Sequence, residues 1–251
     1  MPSIAALTVA PVKALAAVRR RTVLLEPDGV ADDRRLFLLR PDGSVATQRR
    51  HPSLTAVVPD LDLEQGSLTV TFPDRCVVTS ELATSGDPLQ ATLFGKPRTG
   101  RLVTGAVADA LSMFVGEPLR LVLASSVGVG WDEGPASLVS TSSIAAVGTP
   151  AEGPGERGMR FRMLMEVDGT APYEEDSWVG RDVLVGGATV AVTHRLGRCM
   201  VIDHSPRTGV KDWPGLRTIA GLRGPDTVTL GVIAQVRTPG LVRVGDRLEP
   251  V

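Results

Sequence analysis

Cys199 is the residue of this chain best suited to covalent or metal chemistry. It follows Arg198 directly, and His194 and Arg195 lie just upstream, so the local setting is electropositive. A thiolate, unlike a thiol, attacks electrophiles and ligates soft metals, and neighbouring positive charge favours it. A cysteine opening an apolar run equally serves as core packing, so Gly197-Arg198-Cys199 alone leaves both uses open. Other motifs exclude themselves. Gly153, Gly155 and Gly158 have the spacing of a dinucleotide fingerprint, but a loop-like stretch precedes them and a strand-like run follows. The fingerprint needs a strand before and a helix after, so that amides at the helix N-terminus meet a pyrophosphate. Walker and serine-elbow motifs are absent. His51, His194 and His204 show no zinc-ligand spacing with a cysteine.

The elements that must position Cys199 are short and β-branched. Runs at 4–9, 18–25, 35–40, 54–59, 67–72 and 119–123 read as strands, followed by 161–167, 182–185, 188–193, 199–202, 227–234 and 241–244. Turn signals such as Pro27-Asp28-Gly29 and Gly186-Gly187 separate them. Many short strands at close spacing predict a mainly β protein, barrel-like, with few helices. Helices are expected at 107–114, closed by Gly116, at 142–147, capped by the Ser/Thr cluster before it, and at 216–222. Small residues at 125–134 mark the expected boundary between an N-terminal β-rich domain, 1–124, and a C-terminal barrel, 125–251. Residues 148–158 read as an exposed loop.

A formal net charge of −1 over 251 residues argues against a nucleic-acid partner. The Arg19-Arg20-Arg21 triplet reads as a solvated strand face. The first residues lack a signal peptide's pattern, and no run approaches the roughly 18 apolar residues that cross a bilayer. Two cysteines far apart, Cys76 and Cys199, make no disulfide framework. A soluble protein of the reducing cytoplasm, without a membrane partner, is expected.

A specific resemblance then appears. Leu196-Gly197-Arg198-Cys199, continuing through Asp203 to Gly209, resembles the cysteine-bearing stretch of MOSC domains, named for the C-terminal domain of molybdenum cofactor sulfurases. Leu216-Arg217-Thr218, Leu230-Gly231 and the closing Val244-Gly245-Asp246 follow in the family's order. Upstream, Met159-Arg160-Phe161-Arg162, Val167-Asp168-Gly169, the block from Glu175 to Gly180, and Ser137 to Ile144 also match. The first half resembles the associated N-terminal β-barrel domain through Pro11-Val12-Lys13, Asp33-Arg34-Arg35 and Thr47-Gln48-Arg49.

In the relatives that are reductases, among them the mitochondrial amidoxime-reducing component family, a cysteine ligates molybdenum held by a pyranopterin. The resemblance therefore implies a molybdenum cofactor, Cys199 as its ligand and catalytic centre, and reduction of small N-hydroxylated substrates. Because the chain ends at Val251 without an iron–sulfur module, a separate electron donor (a ferredoxin-like, flavin or haem protein) is expected. Pyridoxal phosphate binding is a further association of the family. Lys13, Arg34 and Arg162 match the family's basic contacts, where forked guanidinium groups suit phosphate oxygens. Thr141, Ser142 and Ser143 match its hydroxyl-rich loop, whose short helix is expected to add backbone amides. Arg198 is expected to position or polarise the sulfur centre. An ion pair with Asp33 is the alternative use of Arg34. Asp203 orients the site or serves a turn. Met163-Leu164 replaces a Pro-Asn pair common in the family, Ala14 a more polar residue, and Leu196 a second cysteine. Two other functions stay open: persulfide transfer through Cys199, and a non-catalytic cofactor carrier.

Overall fold

The computed structural model describes residues 1–150 and 158–251. The fingerprint-like glycines 153 and 155, and most of the 148–158 loop expected from the sequence, lie outside the described residues. Among the described residues, strands run β1 (Ser3–Val9), β2 (Val18–Arg20), β3 (Thr22–Leu25), β4 (Leu36–Leu39), β5 (Val58–Asp62), β6 (Ser67–Thr71), β7 (Val77–Glu81), β8 (Thr84–Leu93), β9 (Lys96–Val103) and β10 (Arg120–Ala124). They continue as β11 (Ala136–Ser140), β12 (Met165–Asp168), β13 (Asp182–Val185), β14 (Ala188–Gly197), β15 (Thr229–Thr238), β16 (Gly240–Arg243) and β17 (Leu248–Pro250). Helices are α1 (Ala106–Val115), α2 (Thr141–Ala146) and α3 (Gly215–Arg223), so the protein is mainly β as expected.

One eight-stranded sheet runs β17-β13-β14-β15-β11-β12-β1-β2. It curls until its ends meet: the Ile4 amide donates to the Asp246 carbonyl at 2.9 Å and the Leu248 amide to the Pro2 carbonyl at 3.0 Å. Closure satisfies edge groups that would otherwise invite pairing with another chain. The strand that seals this barrel is thus the first of the chain. Ile4, Leu7, Val9, Val23, Leu25 and Val30 share one core with Leu138, Val167, Trp178, Val190 and Val232. The remaining N-terminal residues build a second unit from the β4-β10-β9-β8 sheet, the β5-β6-β7 sheet and α1. α1 follows its sequence signal closely: Val107 and Leu111 are buried one turn apart, and Gly116 adopts the left-handed C-cap conformation, φ 71°.

Several local expectations give way to the tertiary structure. The 18–25 run breaks at Arg21, so that β2 joins β1 while β3 pairs with β16. The Arg triplet is only partly solvated, because Arg19 reaches Thr8 and Glu166, and Arg20 pairs with Asp32 at 2.8 Å. Residues 52–56 and 159–161 form 3₁₀ turns before β5 and β12. The 199–202 run is no strand: Cys199 is extended and caps a 3₁₀ turn, Met200–Asp203. β14 ends in register shifts between Val192 and His194 and between Arg195 and Gly197, bulges of the kind that re-aim side chains at a barrel rim. No described helix is long and apolar enough to cross a membrane.

Residues 125–251 expressed alone lose the strand that lies between β12 and β2, together with its core side chains. We expect that fragment to show no cooperative unfolding by circular dichroism, whereas the full chain unfolds in one sharp transition; a cooperative fragment would contradict this account of the barrel.

Candidate functional site

A cleft of about 450 Å³ opens between the barrel and the N-terminal unit, a size suited to a cofactor or small ligand. Cys199 lines it as a free, half-buried thiol. Eight basic side chains line it as well: Lys13, Arg34, Arg49, Lys96, Arg98, Arg160, Arg162 and Arg198. Asp33, Asp132 and Glu133 are the acidic lining. Electrostatically the cleft is built for an anion.

The backbone around Cys199 is fixed by two arginines. Arg198 donates from Nε to the Leu230 carbonyl at 2.9 Å, from Nη1 to the Phe161 carbonyl at 3.0 Å, and from Nη2 to the Met163 sulfur at 2.9 Å. Its guanidinium also lies 5.4 Å from the Phe161 ring centre. Arg160, which is buried, forks onto Asp212 at 2.8 and 3.1 Å and also holds the Ile202 and His204 carbonyls at 3.1 and 2.7 Å. The 3₁₀ turn after the cysteine is thereby tied to the segment that carries Arg162. Burial lowers Arg198 to about 10, against the opposing pull of Cys199 and Glu175. Met163 answers one of the sequence departures: its thioether is an acceptor for Arg198 within the wall of the cleft.

Lys13, Arg34 and Arg162 line the same cleft. Lys13 is buried and donates to Asp132 at 2.6 Å and to the Gly130 carbonyl at 3.1 Å. Burial, with Arg34 and Arg162 adding to it against Asp132, lowers its pKa to about 8. Burial and the Arg34 charge lower Arg162 to about 10; its Nη1 holds the Leu15 carbonyl at 2.8 Å. Arg34 is ion-paired with Asp33, as the alternative reading of that residue held. Burial opposes its charge, but Asp33 and Asp132 outweigh that and raise its pKa. For Asp132 burial works upward, and Lys13, Arg34 and Arg162 overcome it to keep the carboxylate below its ordinary range. Gly130 fits only without a side chain, since a Cβ there would sit 2.1 Å from the Arg34 carbonyl oxygen.

Strain concentrates here too. Of the six described non-glycine residues with positive φ, Ala14, Arg34, Phe94 and Arg162 line this cleft. Such conformations persist where surrounding structure over-determines them, commonly at ligand sites.

Four of the residues singled out from the sequence are not brought to the cleft. Thr141 donates to Asp168 at 2.9 Å, Ser142 to the Thr170 carbonyl, and buried Ser143 to Glu175 at 2.8 Å. The start of α2 is capped from within, because Ser140 Oγ accepts from the Ser142 amide at 3.2 Å. That cluster stabilises the helix entry, and its amides do not face the anion cleft. Asp203 is buried; its Oδ1 accepts from the Leu216 amide at 3.0 Å and its Oδ2 lies 3.2 Å from Lys211. It holds the start of α3, a turn role. The sequence marks Arg160 and Met163 without revealing their bonds at the site, and it gives no sign of Asp132, whose partner lies 119 positions away.

Among the described residues no three His, Cys, Asp or Glu side chains gather as a metal-ligand set. One soft sulfur donor beside a strongly cationic wall suits instead a metal that arrives within its own anionic organic ligand. Two buried donors in the cleft walls, Arg98 Nε and Trp131 Nε1, also have no protein partner. The residues present fit such a group.

Lys13 is cationic below about pH 8 and neutral above it, so inorganic pyrophosphate, measured by calorimetry, is expected to bind more weakly as pH rises through that value. Asp132→Asn removes an influence that raises the Lys13 pKa and moves the midpoint lower; an unmoved midpoint would show that another group controls binding.

Residues 1–118 match the model of the MOSC N-terminal beta barrel domain and residues 126–249 that of the MOSC domain. The chain is 25% identical over 249 residues to the molybdenum cofactor sulfurase of Oryza sativa subsp. japonica, a match covering 85% of this chain and 30% of that protein. It is 26% identical over 245 residues to mitochondrial amidoxime reducing component 2 of Macaca fascicularis, covering 85% of this chain and 72% of that one. The chain thus spans about 30% of the length of the sulfurases it matches. Among solved structures, the YUAD protein from Bacillus subtilis aligns over 99% of this chain and 94% of its own, with 13% identity and a TM-score of 0.45. Together the two domain matches span nearly all of the sequence, and the chain belongs to the MOSC family, with a MOSC N-terminal β-barrel domain followed by a MOSC domain.

Proposed function

We propose that this protein binds a molybdenum cofactor through Cys199 and reduces N-hydroxylated compounds with electrons from a donor protein. The observation that carries the reading is a free, half-buried Cys199 lining one cleft with Lys13, Arg34 and Arg162. When bound, the cofactor would supply the redox chemistry: the substrate N–O bond breaks, two electrons and two protons are taken up, and amine and water leave. The chain's residues do the rest. Cys199 offers the sulfur ligand. Lys13, Arg34 and Arg162 hold the anionic tail of the pterin by charge-assisted hydrogen bonds. Arg198 and Arg160 fix the backbone on either side of the sulfur, so that the ligand is preorganised. Leu164, Phe161 and Ile233 in the lining limit water. A reducing compartment such as the cytoplasm keeps both thiols available.

A second reading rests on the relatives named molybdenum cofactor sulfurase: Cys199 carrying a persulfide for transfer. Protein purified from a host that makes the cofactor separates the two. Stoichiometric molybdenum, lost on Cys199→Ser while the circular dichroism spectrum is retained, is the expected result. An intact mass increased by a sulfur atom at Cys199, without molybdenum, would replace the first reading with the second.

A further inference from the structure

The rim of the cleft carries a second feature, on the hairpin formed by β8 and β9. Leu93 pairs with Lys96, so Phe94 and Gly95 form a two-residue turn, with φ of 49° and 76°. Such a turn needs left-handed conformations at both central positions and favours Asn-Gly. A bulky aromatic side chain is a poor choice for the first of them. The Phe94 ring is nevertheless 58% exposed, lines the cleft, and has the Arg49 guanidinium 5.1 Å from its centre. Local rules broken without gain to the fold commonly mark function.

The charges on this rim point the same way. Arg49 and Lys96 are exposed cations lining the cleft, and Arg98 joins them, its Nη2 on the Trp131 carbonyl at 3.2 Å and its Nε buried without a partner. Among the described residues none of these three cations is ion-paired. Two of the cleft's carboxylates are engaged elsewhere, Asp33 by Arg34 and Asp132 by Lys13, and Glu133 is half-exposed with His194 Nε2 3.7 Å away.

We propose that the Phe94 ring with Arg49, Lys96 and Arg98 forms a substrate-selecting subsite for a planar aromatic group bearing an anionic substituent. The ring offers a stacking surface, and the cations offer charge-assisted hydrogen bonds to a carboxylate or phosphate. The inference rests on the proposed reductase reading for its substrate, an N-hydroxylated aromatic acid, but the subsite itself is testable without turnover.

The test is calorimetric binding of three probes that carry no N-hydroxyl group to the full chain as purified from a cofactor-producing host. The probes are 4-carbamoylbenzoate (aromatic and anionic), benzamide (aromatic and neutral) and succinamate (aliphatic and anionic). 4-Carbamoylbenzoate is expected to bind about tenfold more tightly than either of the others. Arg49→Gln with Lys96→Gln should erase its advantage over benzamide and leave benzamide binding unchanged. Phe94→Asn suits the turn, so the melting temperature should hold or rise while both aromatic probes weaken. Equal binding of 4-carbamoylbenzoate and benzamide, an advantage that survives the double variant, or unchanged affinities in Phe94→Asn would each overturn the proposal. So would a double variant that slows only turnover driven by a donor protein, which would assign the rim to macromolecular docking. Because no probe is reduced, a protein lacking molybdenum or reductase activity leaves this result standing, and the two readings fail separately.

Discussion

Like charges repel, and a desolvated cation is costly unless an anion or hydrogen-bond acceptors surround it. This protein nevertheless gathers Lys13, Arg34 and Arg162 in one cleft together with Arg198 and Cys199. Burial depresses Lys13 to about 8 and Arg162 and Arg198 to about 10, with neighbouring positive charge adding to it at Lys13 and Arg162. Folding alone gains nothing from this gathering; a bound anion would. Most of the local architecture compensates for this concentration of charge. Backbone carbonyls of Leu15, Gly130, Phe161 and Leu230 point inward, Asp33 and Asp132 supply counter-charge, and Gly130 permits the close approach that brings its carbonyl to Lys13.

The barrel explains why Lys13 and Arg162 meet. Chain order places Lys13 just after β1 and Arg162 just before β12, and these strands are antiparallel neighbours, Leu7 opposite Met165. Two basic residues about 150 positions apart in sequence thus leave adjacent strands at the same end of the barrel. Arg198 and Cys199 follow β14, whose last residues are bulged out of the ladder, and join the same cleft through the bond from Arg198 to the Phe161 carbonyl, one residue before Arg162. The N-terminal unit then covers the opening and contributes Arg34, Arg49 and the β8–β9 hairpin. A site assembled in this way depends on barrel closure, and closure depends on residues 2–4 meeting residues 245–248.

Arginine has two distinct uses here. Arg160 and Arg198 spend their donors on backbone carbonyls, and Arg160 also on Asp212, so their role is to fix the geometry around the sulfur. Arg162 and the rim cations make fewer protein contacts and keep donor capacity for a ligand. Residue type alone does not separate these uses, although Arg160 and Arg162 stand two positions apart on one 3₁₀ turn. The turn does: Arg160 lies within it and reaches Asp212, whereas Arg162 caps it at φ 54° and reaches the Leu15 carbonyl.

The mainly β character, the three helices, the caps of the first two, and the choice of Cys199, Lys13, Arg34 and Arg162, which line one cleft, were legible in the chain. Those features are local, or are written in residue types whose order along the chain resembles a family. The sequence by itself did not determine which hydroxyls and carboxylates face the ligand. Thr141, Ser142, Ser143 and Asp203 had suitable chemistry, but bonds to Asp168, Thr170, Glu175 and the start of α3, 13 to 32 positions away, claim them. Nor did it reveal Asp132, or the 3₁₀ turn at Cys199 where an apolar run suggested a strand. Only the tertiary structure decides those points, because a hydrogen-bond partner more than a hundred residues away and the hold of Arg160 on a carbonyl leave no periodicity in the chain.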